Sequence, residues 1–332
     1  MNVKQVAINL ISQVDKGAYS NIALNETFKT LNINSKEKAF ITEIFYGVIR
    51  NKKFLDYIIE RYTKEIKKEW IRNLLRISIY QITFMDSDNK GIVWEATELT
   101  KKKYGMTISK FINGTLRNYL RNKDTELKRL DDEKNYEVLY SIPKWFYDIL
   151  EKQYGDKNLK QAITSLKKVP YLSVRVNKLK YSEEKFEEFL KEKDIQIIKK
   201  VDTVYYVNSG LIIISEEFKT GKIIAQDASS YLAAKNLGVL SNELVLDICA
   251  APGGKTAVLA EQMENKGEII AIDIHQHKIK LIETNMKKLG IDIVKAIVMD
   301  ARNVNKQGRK FDKILVDVPC SGYGVIRKKP EI

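Results

Sequence analysis

The stretch LVLDICAAPGGKT (244–256) decides the fold. Its first part, Leu244 to Ile248, is a short β-rich apolar run that reads as a strand buried on both faces. A turn of small residues follows and leads into a helix running to about 264. The order recurs downstream. Ile269 to Asp273 precedes a helix to about 289, then come Val294 to Met299 and Phe311 to Asp317. Strands alternating with helices from about 223 onward predict a doubly wound α/β sheet.

The turn limits what can bind. A phosphate loop ending at Gly254, Lys255 and Thr256 needs a glycine at 249, where Cys249 stands, and the G-x-G-x-x-G spacing is also missing. The turn is therefore not built for a diphosphate. Acidic residues at strand ends remain. Asp273 lies nineteen residues after Gly254 and suits the two hydroxyls of a ribose. Asp300, in MDAR (299–302), can accept from the exocyclic amine of an adenine. One such Asp is explained equally well as a helix cap; acidic residues at successive strand ends argue for a ligand. An adenosine without phosphates, held by carboxylates, predicts S-adenosylmethionine, whose positive sulfonium suits an acidic rim.

The fourth strand runs into DVPCSGYGVIRKKPEI (317–332). A thiolate at Cys320 suits chemistry at cytosine C5: addition to C6 makes C5 enamine-like and able to take a methyl group. Asp317 could then hydrogen-bond the base edge. Spacing alone leaves Cys320 open between this role and a small residue in a tight turn, and Cys249 reads as structural.

Upstream, residues 1 to about 125 are helical. Val3, Val6, Ala7, Leu10, Ile11 and Val14 form an apolar stripe, and similar patterns cover roughly 21–31, 35–62, 67–85, 91–104 and 107–121. Ser35 is the expected cap and Gly105 the expected stop. Phe45, Tyr46, Phe54, Trp70 and Tyr80 read as core. A charged join near 126–135 marks a boundary. Beyond it, helices are expected at 143–154, 157–167 and 182–193, with strands at 171–176, 195–200, 203–207 and 211–215, a small α+β domain.

With 57 Lys and Arg against 43 Asp and Glu, the net charge is +14. A polyanionic partner, nucleic acid first, and a merely lysine-decorated surface both fit. Two cysteines and two histidines exclude a disulfide framework or a Cys/His zinc site within this chain, and no metal is expected. No apolar run approaches the roughly 18 residues of a membrane span, and the N-terminus lacks a signal-peptide core. The expectation is a cytoplasmic monomer that does not engage membranes.

DICAAPGGKT (247–256), AIDI (271–274), MDAR (299–302) and DVPCSGYGVIRKKPEI (317–332) resemble the motifs of the Fmu/Sun family of bacterial 16S ribosomal RNA cytosine-C5 methyltransferases. RNLLRISIYQITFMD (72–86) and KFINGTLRNYLR (110–121) resemble the RNA-binding domain shared with NusB. PYLSVRVNKLK (170–180) and QDASSYLAA (226–234) resemble the small RNA-contacting domain and the lead-in to the catalytic sheet. The resemblance implies three domains: an all-α NusB-like bundle at 1–128, a small α+β (RRM-like) domain at 136–222, and an incomplete α/β Rossmann-like S-adenosylmethionine methyltransferase domain at 223–332. It implies a cofactor loop of Cys249, Ala250, Ala251, Pro252, Gly253, Gly254 and Lys255, with Asp273, Asp300 and Asp317. RNA contacts are expected at Arg175, Asn177, Lys178, Arg327 and Lys328.

In this family the attacking thiol belongs to a second cysteine, in a Thr-Cys or Ser-Cys motif, and the Pro-Cys cysteine, here Cys320, assists product release. That second cysteine is not in this sequence. Of seven strands ordered 3-2-1-4-5-7-6, only the 3-2-1-4 part is legible. The expectation is a chain cut after the fourth strand, with roughly 100 residues missing, an exposed apolar edge at Ile314 to Val316, weakened cofactor binding and no turnover. A tRNA cytosine-C5 methyltransferase and a non-catalytic NusB-like RNA-binding protein are the alternatives.

Overall fold

Apolar stripes along the N-terminal helices bury one another around a single central helix. The structure, a computed structural model, describes residues 2–331. It divides into two units: residues up to Val169 with those from Gly322 onward, and Pro170–Ser321. The first unit contains α1 (Val3–Asp15), α2 (Ser20–Thr30), α3 (Ser35–Arg50), α4 (Lys52–Tyr62), α5 (Glu69–Phe84), α6 (Asn89–Tyr104), α7 (Met106–Asp132), α8 (Tyr136–Leu139) and α9 (Lys144–Lys167). Helix α5 is buried from Ile71 to Ile82 apart from Arg72 and packs against α1, α3, α4, α6 and α7. Its buried Arg76 is held by Asp56, at 2.7 Å to both carboxylate oxygens, and by Asp15 at 2.8 Å. Phe45, Phe54 and Tyr80 are buried, with Tyr46 and Trp70 packed against them.

Local chemistry corrects several helix boundaries. The 35–62 pattern is two helices meeting at Asn51, whose side-chain amide donates to the Gly47 carbonyl at 2.9 Å. Helix α3 is capped by Asn34 rather than Ser35: Asn34 accepts the Glu37 N–H, and Glu37 accepts the Asn34 N–H, a complete capping box. Helix α7 continues through the charged stretch to Asp132, supported by Arg129 pairing with Glu126 and Glu133. At Gly155 a φ of +65° breaks α9 into the two expected pieces.

The second unit begins with β1 (Leu172–Val176), α10 (Glu183–Glu192), β2 (Ile197–Val201), β3 (Val204–Val207), α11 (Glu216–Lys219) and β4 (Ile223–Ala225). The strands form an antiparallel sheet in the order β2-β3-β1-β4. Phe186, Phe189 and Leu190 of α10 pack on Val174, Val176, Tyr205 and Val207. The strand expected at 211–215 is instead a 3-10 helix, Gly210–Ile214. Ser209 accepts the Leu211 N–H, and the Ser215 N–H returns to Ile212, so these backbone groups are satisfied locally. The edge of β1 is taken by β4.

A second sheet follows: α12 (Ala228–Lys235), β5 (Leu244–Ile248), α13 (Gly254–Gln262), β6 (Glu268–Asp273), α14 (Gln276–Leu289), β7 (Val294–Val298) and β8 (Lys313–Val316). Its strands are parallel in the order β7-β6-β5-β8, the 3-2-1-4 arrangement expected of a Rossmann-like domain. Ile314 and Val316 on β8 are exposed.

Candidate functional site

Parallel register brings the strand ends together. Ile248 pairs with Ile272 on one side and Val316 on the other, and Asp273 pairs with Val298. The 249–255 turn, Asp273, Asp300 and Asp317 therefore share the carboxyl edge of the sheet, where open α/β sheets bind ligands.

The turn is tightly determined. Asp247 is buried and accepts the Thr256 hydroxyl at 2.6 Å, tying the strand end to the first turn of α13. Cys249 adopts a left-handed φ of +57°, and the Ala250 N–H reaches the Ile272 carbonyl at 3.0 Å. Gly253 sits at φ +97°, and a Cβ there would lie 2.9 Å from Met286 Cε. Glycine thus lets the turn close onto α14. Asn285 holds the Pro252 carbonyl at 2.8 Å.

Burial governs the charges. It pushes the Asp247 carboxyl up from 3.8 to about 6, against the Thr256 hydrogen bond and nearby Lys255. Burial, with the Asp273 carboxylate beside it, also raises the Cys249 thiol, so this cysteine is not an activated thiolate. Asp273 is buried, accepts the His275 N–H at 3.2 Å and lies 3.4 Å from Lys278. Asp300 accepts from the Arg302 guanidinium at 2.6 Å. Lys255 and Asp317 form an ion pair with each other. Cys320 is exposed, three residues beyond Asp317.

Arg175 and Asn177 do not lie where RNA could touch them, which corrects the expectation for both. Each is fully buried within the second unit. Arg175 is ion-paired with Glu261 of α13, and Asn177 donates to the carbonyls of Gly221 at 2.9 Å and Leu289 at 3.0 Å. They join the antiparallel sheet to the parallel one. Lys178 is exposed, 3.5 Å from Glu183. Arg327 and Lys328 belong to the first unit, where Arg327 donates to the Lys168 carbonyl at 3.1 Å. Sequence reasoning missed Gln226, Thr256 and Glu261. Each sits in a segment read correctly as a lead-in or helix, but periodicity says nothing about which polar side chain turns inward.

The carboxyl edge fits an adenosine bearing a positive sulfonium. It offers carboxylate acceptors, a turn stripped of side-chain bulk at Gly253, and no phosphate-binding glycine spacing. Among the described residues no cluster of His, Cys, Asp and Glu could hold a metal, and no helix is long and apolar enough to cross a membrane.

Fold and site together define a Rossmann-like methyltransferase that uses S-adenosylmethionine and carries a helical N-terminal domain. Residues 234–332 match the 16S rRNA methyltransferase RsmB/F family, residues 1–121 the NusB family, and residues 142–215 the ferredoxin-like domain of RsmF/B-like methyltransferases. The chain belongs to the RsmB/F family. It is 33% identical to a probable ribosomal RNA small subunit methyltransferase B of Bacillus subtilis, over all of this chain and 76% of that one. It is 31% identical to ribosomal RNA small subunit methyltransferase B of Vibrio vulnificus, over all of this chain and 78% of that protein. The crystal structure of PH0851 superimposes with a TM-score of 0.77 at 29% identity, covering all of this chain and 77% of that one. A methyltransferase homolog from Pyrococcus horikoshii gives a TM-score of 0.51 at 31% identity over 55% of this chain and 61% of its own.

Proposed function

We propose that the protein methylates C5 of a cytosine in 16S ribosomal RNA. The observation that carries this is the shared carboxyl edge: a phosphate-free glycine turn, Asp273, Asp300 and Asp317, followed at once by the Pro319-Cys320 pair. S-adenosylmethionine bound there supplies an electrophilic methyl group. The 249–255 turn and Asp273 would bind its ribose side, Asp300 its adenine amine, and Asp317 would face both donor and base.

The target base must leave its stack to reach such a pocket. A thiolate bonded to C6 makes C5 nucleophilic; after methylation, loss of the C5 proton restores the C5–C6 double bond and expels the thiolate. The attacking thiol is neither the raised, half-buried Cys249 nor, by the family pattern, Cys320, and these are the two cysteines of this chain. Cys320 assists the release step.

The segments 1–128 and 136–222 would grip RNA and 223–332 would bind the donor. On α7, Lys110, Arg117 and Arg121 share one exposed face, and among the described residues none of them pairs with a carboxylate. Unneutralised cations in a row suit a phosphate backbone.

Protein isolated from its source, given methyl-labelled S-adenosylmethionine with 16S rRNA or tRNA, tests the reading. Label in 16S rRNA at a bisulfite-resistant cytosine is expected. Label in tRNA alone would move the substrate to tRNA, and RNA binding without label would leave a binding protein.

A further inference from the structure

One buried guanidinium holds α13 at both ends. Arg175 Nε donates to Gln226 Oε1 at 2.6 Å, and Gln226 Nε2 donates to the Gly254 carbonyl at 3.0 Å, at the first residue of α13. Arg175 Nη1 pairs with Glu261, near the last residue of the same helix. Tyr231 lies under the guanidinium, 5.7 Å from ring centre to Cζ. Arg175 comes from β1 of the antiparallel sheet, so that sheet reaches the glycine turn through the Gln226 side chain.

The grip matters because α13 has no side-chain cap of its own; its cap residue is Gly253. The N–H groups of an uncapped first turn point out of the helix N-terminus, here toward the turn. In a trans peptide the C=O and N–H are antiparallel. Fixing the Gly254 carbonyl on Gln226 therefore fixes the direction of the Lys255 N–H.

We propose that Gln226, backed by Arg175, is a positioning residue for the methyl donor, setting the Gly254–Lys255 peptide so that the start of α13 is preformed for the ligand. The inference rests on the carboxyl edge being the donor site. Glu261 does a different job: it neutralises the buried guanidinium and contributes to stability rather than to ligand geometry.

The two roles separate in two variants of the full chain. Gln226→Glu keeps an acceptor for Arg175 but, ionised, has no proton for the Gly254 carbonyl. Glu261→Gln removes the neutralising charge and leaves the Gln226 link in place. S-adenosylmethionine affinity would be read by titration calorimetry and Tm by scanning calorimetry. Gln226→Glu is expected to weaken donor binding about tenfold, one hydrogen bond's worth, at nearly wild-type Tm. Glu261→Gln is expected to lower Tm and leave affinity near wild type. Unchanged affinity in Gln226→Glu, or affinity losses that follow Tm in both variants, would overturn the proposal. A wild-type chain giving no binding with S-adenosylmethionine would overturn the donor site itself, and this inference with it.

Discussion

Asp247 shows how burying one carboxyl can cost the fold stability. Its folded pKa of about 6 lies above the ordinary 3.8. As pH rises, the unfolded chain loses this proton first, so between about pH 4 and 6 the folded state holds a proton that the unfolded state has released. Stability from this group is therefore present below pH 4, falls as pH rises, and is lost above about 6. The shift corresponds to about 3 kcal/mol. Asp247→Asn keeps an oxygen for Thr256 and removes the charge. It is expected to be more stable than wild type at pH 7.5, with the difference closing toward pH 4 in urea unfolding. At this scale the sequence was legible in position: Asp273 ends β6 and Asp300 follows β7, as the strand pattern implies. It was misleading at Arg175 and Asn177: basic and polar residues at a strand end look solvated, and only the docking of a second sheet buries them.

Elements were legible where one periodicity dominates. The parallel strands followed from apolar runs and the bundle from its stripes, whereas the strand order was implied by the family resemblance. Failures came where local hydrogen bonds overrode pattern, as at Ser209, which turns an apolar β-branched run into a 3-10 helix. Two predictions belong here. The Asn34 capping box satisfies two backbone donors, one by each partner, so Asn34→Ala should lower stability by about 1 kcal/mol in thermal unfolding of the first unit. Glu261 neutralises the buried Arg175, with side-chain exposures of 8% and 0%. Glu261→Ala leaves that charge unpaired and should cost about 3–5 kcal/mol, read from the denaturant midpoint of the second unit. A loss under 1 kcal/mol would mean that water or Gln226 already satisfies the guanidinium.

For the whole molecule, the +14 charge was legible from composition, but its placement was not. Many cations are locally neutralised: Arg76 by Asp15 and Asp56, Arg129 by Glu126 and Glu133, Lys200 by Glu183 and Glu187. Lys110, Arg117 and Arg121 differ, lying seven and four residues apart along one exposed face of α7. If that face follows an RNA backbone, each contact releases counterions, and log K falls with log salt by about 0.7 per phosphate neutralised on a single strand. Replacing all three with Ala should weaken binding to unrelated single-stranded RNAs about equally. It should also make the salt slope shallower by about 2. Far-ultraviolet circular dichroism should be unchanged, because the three side chains point away from the core. A lower affinity with an unchanged slope would mean that the face touches RNA through something other than phosphate, and an unchanged affinity would move the RNA path to another surface.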